Sequence, residues 1–141
     1  MPKRRGPAKS KRKTSAPKLH ERMLRRWFNE VWNKRRVKTI HELMAPKAPV
    51  SSNAGNISGT AEFEAFFHQF HADFTEIRMT ILKVFATDTM GACHWRLTAK
   101  HVPTSKPVQI TGTTMVQVKN GKFIAGWQNY DEAALAAQVA R

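Results

Sequence analysis

The chain is poor in the residues that most plainly advertise chemistry. Its 141 residues hold one cysteine, Cys93, which excludes an internal disulfide and a cysteine-based metal cluster. No apolar run approaches the length of a membrane span, and none follows the basic N-terminus as in a signal peptide. The Arg4-Arg5 pair is not a working twin-arginine signal. These absences point to a cytoplasmic protein. There is no glycine-rich phosphate loop and no dinucleotide fingerprint, so no nucleotide cofactor is expected. His68 and His71 stand three apart, but no third ligand follows at a sensible spacing and no zinc-protease motif is present. Ser51, Ser52 and Ser58 lack the context of an activated nucleophile. The expectation is a chain without metal or cofactor.

Acid is scarce as well. Ten Asp and Glu face 24 Lys and Arg, for a net charge of +14. The excess is local. Residues 1–38 carry 15 basic residues and two acids, or +13, whereas residues 39–141 carry nine and eight, or +1. A basic nucleic-acid-binding domain spreads its charge over a folded face; here the charge is a front-end feature. Residues 1–18 have eight basic residues, three prolines and no acid. Such a stretch buries too little apolar surface to offset its ordering entropy, so disorder is expected. It reads either as a tail that holds polyanions weakly by counterion release or as a solubilising extension. The length then leaves one domain, residues 19–141.

What is present is aromatic and periodic. Leu19, Met23, Leu24, Trp27, Phe28, Val31 and Trp32 form one wide apolar stripe, which predicts a helix over 19–35. Val37, Ile40, Leu43 and Met44 predict a second short helix, stopped by Pro46. Residues 46–58 read as a long loop. Ser58 or Thr60 can cap a third helix, whose Phe63, Phe66, Phe67, Phe70 and Phe74 share a core-facing side. The period then changes to two. Strands are predicted over Glu76–Thr87, Cys93–His101, Val108–Lys119 and Phe123–Tyr130, and a short helix after Asp131. Helices followed by a four-stranded meander argue an α+β fold with a bent antiparallel sheet wrapped on helices.

The stretch Thr111–Ala137 organises the rest. Asn120-Gly121 between two alternating runs is a strong hairpin signal. A two-residue turn pairs Lys119 with Lys122 and separates Gln117 from Asp131. A glycine bulge at Gly121 pairs Val118 with Lys122 and puts Met115, Gln117, Phe123, Ala125, Trp127, Asn129 and Asp131 on one face. Asp131 reads first as an N-cap of the closing helix, and second as a carboxylate at an aromatic cavity poised for acid/base work. His101 ends a strand face shared with Cys93, Trp95, Leu97 and Ala99, where it can be structural or can shuttle a proton.

The succession FNEVWNKRRVKTIHELMAP, FTEIRMTI, Trp95 to His101 and PTSKPVQITGTTMVQVKNGKFIAGWQNYDEAALAAQ resembles the SnoaL-like polyketide cyclase or ester cyclase family, of the nuclear transport factor 2-like superfamily. The resemblance covers roughly residues 20–140. It implies a cone-shaped α+β fold with an apolar pocket, and cofactor-free aldol cyclisation or isomerisation of an apolar carbonyl compound. It implies Asp131 as general acid/base with Gln117 as the orienting partner on the neighbouring strand, which favours the bulged turn. His101, Trp32, Asn53, Trp95, Met115, Phe123 and Trp127 become expected site or wall residues. A homodimer through the outer face of the sheet is a further expectation from the superfamily. The alternative is a non-catalytic cone that binds a small molecule or a partner, with Asp131 only a cap.

Overall fold

A computed structural model describes residues 14–141. Residues 1–13, most of the basic tail, lie outside the described residues. The last three residues of the segment expected to be disordered are helical: α1 spans Ala16–Arg26, with Ser15 as N-cap accepting from the Lys18 amide at 3.4 Å. Pro17 sits in the first turn, where its missing N–H is not needed. The helix passes into a π-helical segment, Trp27–Asn33, whose wider turn buries Trp27, Phe28, Val31 and Trp32 together. Then come α2 (Val37–Leu43), β1 (Pro49–Ser52), β2 (Ile57–Ser58) and α3 (Gly59–Asp73). They are followed by β3 (Phe74–Ala86), β4 (Met90–His101), β5 (Pro107–Lys119), β6 (Lys122–Tyr130) and α4 (Glu132–Val139). Among the described residues no helix is long and apolar enough to cross a membrane.

The sheet has six strands in the order β2-β1-β6-β5-β4-β3. The meander from β3 to β6 is the predicted one. The expected long loop 46–58 instead supplies two short strands, and β1 runs parallel to β6, pairing Val50, Ser51 and Ser52 with Gly126, Trp127 and Gln128. The sheet is therefore mixed rather than wholly antiparallel. Composition hid these strands because each holds one apolar residue, Val50 or Ile57, among serines, a proline and asparagines, and strand pairing itself needs only backbone groups. Ser58 does occupy the N-cap of α3, but its hydroxyl makes no capping bond. Glu62 instead accepts from the Ser58 amide at 2.8 Å.

One face of the sheet curls over the helices. Cys93, Trp95, Leu97 and Ala99 of β4 and Val108, Ile110, Thr114, Val116 and Val118 of β5 alternate inward. They meet Leu24, Phe28 and Val31, each worth about 1.5–3 kcal/mol of transfer free energy when buried. A network of ion pairs locks α2 to the π-helical segment. Glu30 accepts from Arg26 and Thr39, and Glu42 accepts from Arg26 and Arg36.

The hairpin corrects the expected register. Asn120 and Gly121 both take positive φ, 51° and 75°, and Lys119 pairs with Lys122. The turn is the two-residue form, and there is no bulge at Gly121. The bulge lies three residues further on: Val118 pairs with Phe123 but Gln117 pairs with Ala125, so Ile124 is the extra residue.

Candidate functional site

That displaced bulge decides which residues line the interior. Directly paired residues stand on the same face. Phe123 goes inward with Val118. Beyond the bulge, Gly126, Gln128 and Tyr130 pair with the buried Val116, Thr114 and Gly112. Ala125, Trp127 and Asn129 pair with Gln117, Met115 and Thr113, all exposed. Of the residues expected on one face, Phe123 is inside and Asp131 lies beyond the end of β6; Met115, Gln117, Ala125, Trp127 and Asn129 do share it, but it is the outer face. There Trp127, Met115, Ala92 and Phe85 form one row across β6, β5, β4 and β3, with Phe85 65% exposed.

The expected catalytic residues are not brought together. Asp131 is exposed and caps α4, its Oδ1 accepting from the Ala134 amide at 2.9 Å. Gln117 is exposed near the hairpin and pairs with Met90 at the start of β4. His101 ends that same strand, about 36 Å away along it. The imidazole of His101 packs on Phe74, and its Nδ1 lies 2.8 Å from the Thr104 hydroxyl. Asn53 acts as a backbone surrogate: its amide donates to the Tyr130 carbonyl at 2.9 Å and accepts from the Tyr130 N–H at 3.1 Å. His68 and His71 diverge, His68 toward Glu64 and His71 into the aromatic stack on Trp32 and Phe67. Burial, with the nearby Arg35 charge, pushes the His71 imidazole down to about 4, so it is neutral at pH 7.

Four expected wall residues do line cavities. One cavity, about 40 Å³, lies among Trp27, Val50, Phe63, Val116, Phe123 and Trp127. A second, about 60 Å³, lies among Trp32, Phe66, Phe70, Trp95, Ile110 and Tyr130. Gln128 is the one residue that lines both. Beside it runs a short polar chain: Trp95 Nε1 donates to Thr114 Oγ1 at 2.9 Å, and Thr114 Oγ1 donates to Gln128 Oε1 at 3.3 Å. The indole can lie there because Gly112, its direct partner on β5, has no side chain. Neither lining contains a carboxylate or an imidazole. Its titratable group is the Tyr130 phenol, which burial and then the Glu132 charge push up, so it stays protonated. Thr114, Gln128 and Tyr130 were missed by sequence reasoning. The signal that would have found them is the two-residue turn, combined with a bulge that no residue in β6 announces.

An α+β cone with a curved sheet over three helices and an apolar interior defines the nuclear transport factor 2-like class. The SnoaL-like domain family matches residues 24–126, and the chain belongs to that family. No curated protein sequence matches it. The fold is shared with a candidate SnoaL-like polyketide cyclase from Jannaschia sp. CCS1. That match has a TM-score of 0.83 and 16% identity over 92% of this chain and 97% of that one. IdmH, a candidate polyketide cyclase from Streptomyces antibioticus, matches at 0.75 and 20% over 85% and 97%. A protein of ketosteroid isomerase-like fold from Catenulispora acidiphila, solved with trimethylamine, matches at 0.75 and 13% over 83% and 91%. At these identities the likeness is one of fold.

Proposed function

We propose that this SnoaL-like domain takes a small, mostly apolar molecule into the cone and holds it by burial and neutral hydrogen bonds. The observation that carries the reading is the pair of aromatic-walled cavities meeting at Gln128. Apolar walls with a few placed polar groups are the usual make-up of a small-molecule site. Titration of the labelled protein with small aromatic and cyclic ketones tests it. The indole N–H signals of Trp95 and Trp32, both buried, are expected to shift before those of exposed residues. Shifts confined to the outer row at Met115 and Phe85 would refute it.

A second reading keeps cyclase- or isomerase-type chemistry, cofactor-free, with Asp131 as acid/base. It is favoured by position: Asp131 directly follows Tyr130, and α4, which it caps, sends Leu135 to the same cavity. One substitution pair separates the two. Asparagine caps a helix about as well as aspartate, whereas alanine costs about 1 kcal/mol. On the binding reading Asp131→Asn leaves stability and ligand affinity unchanged and Asp131→Ala lowers stability alone. Loss of turnover in Asp131→Asn, on any ketone the protein converts, would establish the acid/base reading.

A further inference from the structure

The outer face of the sheet plays no part in the small-molecule site, yet it carries both exposed aromatic surface and charge. Its apolar row runs from Phe85 through Ala92 and Met115 to Trp127, with Phe85 65%, Met115 43% and Trp127 36% exposed. Three strand spacings separate Phe85 from Trp127, about 14 Å. Every outward residue of β5 from Gln109 to Gln117 is exposed, so no described element covers this face.

Cations stand beside that row. Lys83 pairs with His94 one row away, Arg96 with Thr80 two rows away, and Arg78 with Thr98 three rows away, successive rows being about 7 Å apart. None of the three cations forms an ion pair among the described residues. None of the outward positions in these four rows is an acid. The near-neutral charge of residues 39–141 is therefore an average. Strands β3 to β5 hold five of its nine cations and one of its eight acids, Glu76. The basic tail joins the body at the same end of the sheet as Phe85. His20 Nδ1 of α1 lies 2.9 Å from the carbonyl oxygen of Thr87, two residues beyond Phe85, and residues 1–13, which precede α1, add seven cations and no acid.

This combination selects an occupant. Aromatic side chains on a sheet surface stack the faces of unpaired bases, and neighbouring cations take the phosphates. A duplex keeps its base faces hidden, and a purely apolar partner would leave the cations without counter-charge. A second copy fits poorly, because a two-fold contact lays the face on itself and sets cations against cations. We infer that the outer face binds single-stranded nucleic acid. Bases stack on Phe85 and Trp127, phosphates lie along Lys83, Arg96 and Arg78, and the tail adds attraction that is blind to the bases.

The test uses the full chain and a labelled single strand of DNA of about 12 nucleotides, the same strand with abasic sites throughout, and the corresponding duplex. Affinities come from fluorescence anisotropy over a salt series. The intact single strand is expected to bind about tenfold or more tighter than the abasic one and to move the Met115 methyl signal while leaving the buried Trp95 indole in place. Phe85→Ala is expected to weaken binding of the intact strand about fivefold or more with the salt slope unchanged. Arg78→Gln, Lys83→Gln and Arg96→Gln together should make the slope of log affinity against log salt shallower by about 2. Removal of residues 1–13 should weaken intact and abasic strands alike and keep their ratio. Unchanged thermal midpoints confirm that each variant is folded. Equal binding of intact and abasic strands by the wild type overturns the assignment, leaving a polyanion-binding tail. A ratio that survives Phe85→Ala overturns it as well, as does tighter binding of the duplex. A wild type that sediments as a dimer, dissociates on Phe85→Ala and does not distinguish intact from abasic strand would give the face to a second copy.

Discussion

Gly112→Ala tests the geometry on which the site depends. A Cβ built on Gly112 would lie 2.3 and 2.5 Å from Cζ2 and Cη2 of Trp95 and 2.8 Å from the Asn129 carbonyl oxygen. None of these neighbours can easily give way. The indole is 3% exposed, packs against Phe28, and is tethered through Nε1 to Thr114. The Asn129 oxygen is backbone. Overpacking a well-filled core costs about 1–3 kcal/mol, and three contacts this short belong at the upper end, about 3 kcal/mol. For a domain of this length that is a fall of about 10 °C in Tm. Urea unfolding followed by circular dichroism measures it directly. Trp95→Phe removes the benzo ring that the new methyl would strike, so the double variant should be less destabilised than the sum of the singles by more than about 1 kcal/mol. A loss under about 1 kcal/mol for Gly112→Ala, or additive behaviour in the double variant, would refute the reasoning. Trp95 would then not lie over β5, and the polar chain to Gln128 would have no anchor.

Two further predictions concern charge and burial. Hydrogen bonds from Arg36 and then Arg26 hold the Glu42 carboxyl down at about 2 rather than its ordinary 4.5. A carboxyl lowered on folding stabilises the native state above its unfolded value and loses that stabilisation as pH falls through the folded one. Thermal unfolding midpoints should therefore drop between about pH 4.5 and pH 2, and Glu42→Gln should flatten that part of the profile. The Cys93 thiol is buried and pushed up to about 12, mainly by desolvation. Thiolate is the reactive form, so Cys93 should resist iodoacetamide at pH 8 and react fully once the protein is unfolded in urea; rapid labelling of the native protein would contradict the placement of β4.

The fold was largely legible because its signals are local. The aromatic helices and four of the strands follow from periodicity, which reports burial of one face whatever the neighbours do. The parts that were not legible depend on partners distant in sequence. Nothing in Val50-Ser51-Ser52 announces a strand until Gly126–Gln128 stands beside it. The π-helical turn at Trp27–Asn33 answers a demand from the sheet and α3 for four large apolar groups on one side. That demand is met by Phe63 and Phe123 around Trp27 and by the Phe66–Phe70 stripe around Trp32.

The candidate site turned on parity, where a sequence is weakest. Alternation along β5 groups Thr114 with the apolar Val108, Ile110, Val116 and Val118, whereas the bulged turn favoured by the family resemblance puts Met115 inward. The structure makes the opposite choice because β4 fixes it: Cys93 pairs with Thr114 and Trp95 with Gly112, so the heavy indole needs the residue without a side chain opposite it. A hydroxyl then faces inward where the indole N–H requires an acceptor. Once Thr114 is inside, Gln128 follows from the pairing of β5 with β6, and Trp127 and Asn129 fall on the other side of the strand. The extra residue at Ile124 keeps both constraints compatible with a tight Asn120-Gly121 turn, since it turns Phe123 and Gln128 to the same side although they are five apart. A single hydrogen-bond requirement on Trp95 thus propagates across two strands, from Thr114 on β5 to Gln128 on β6.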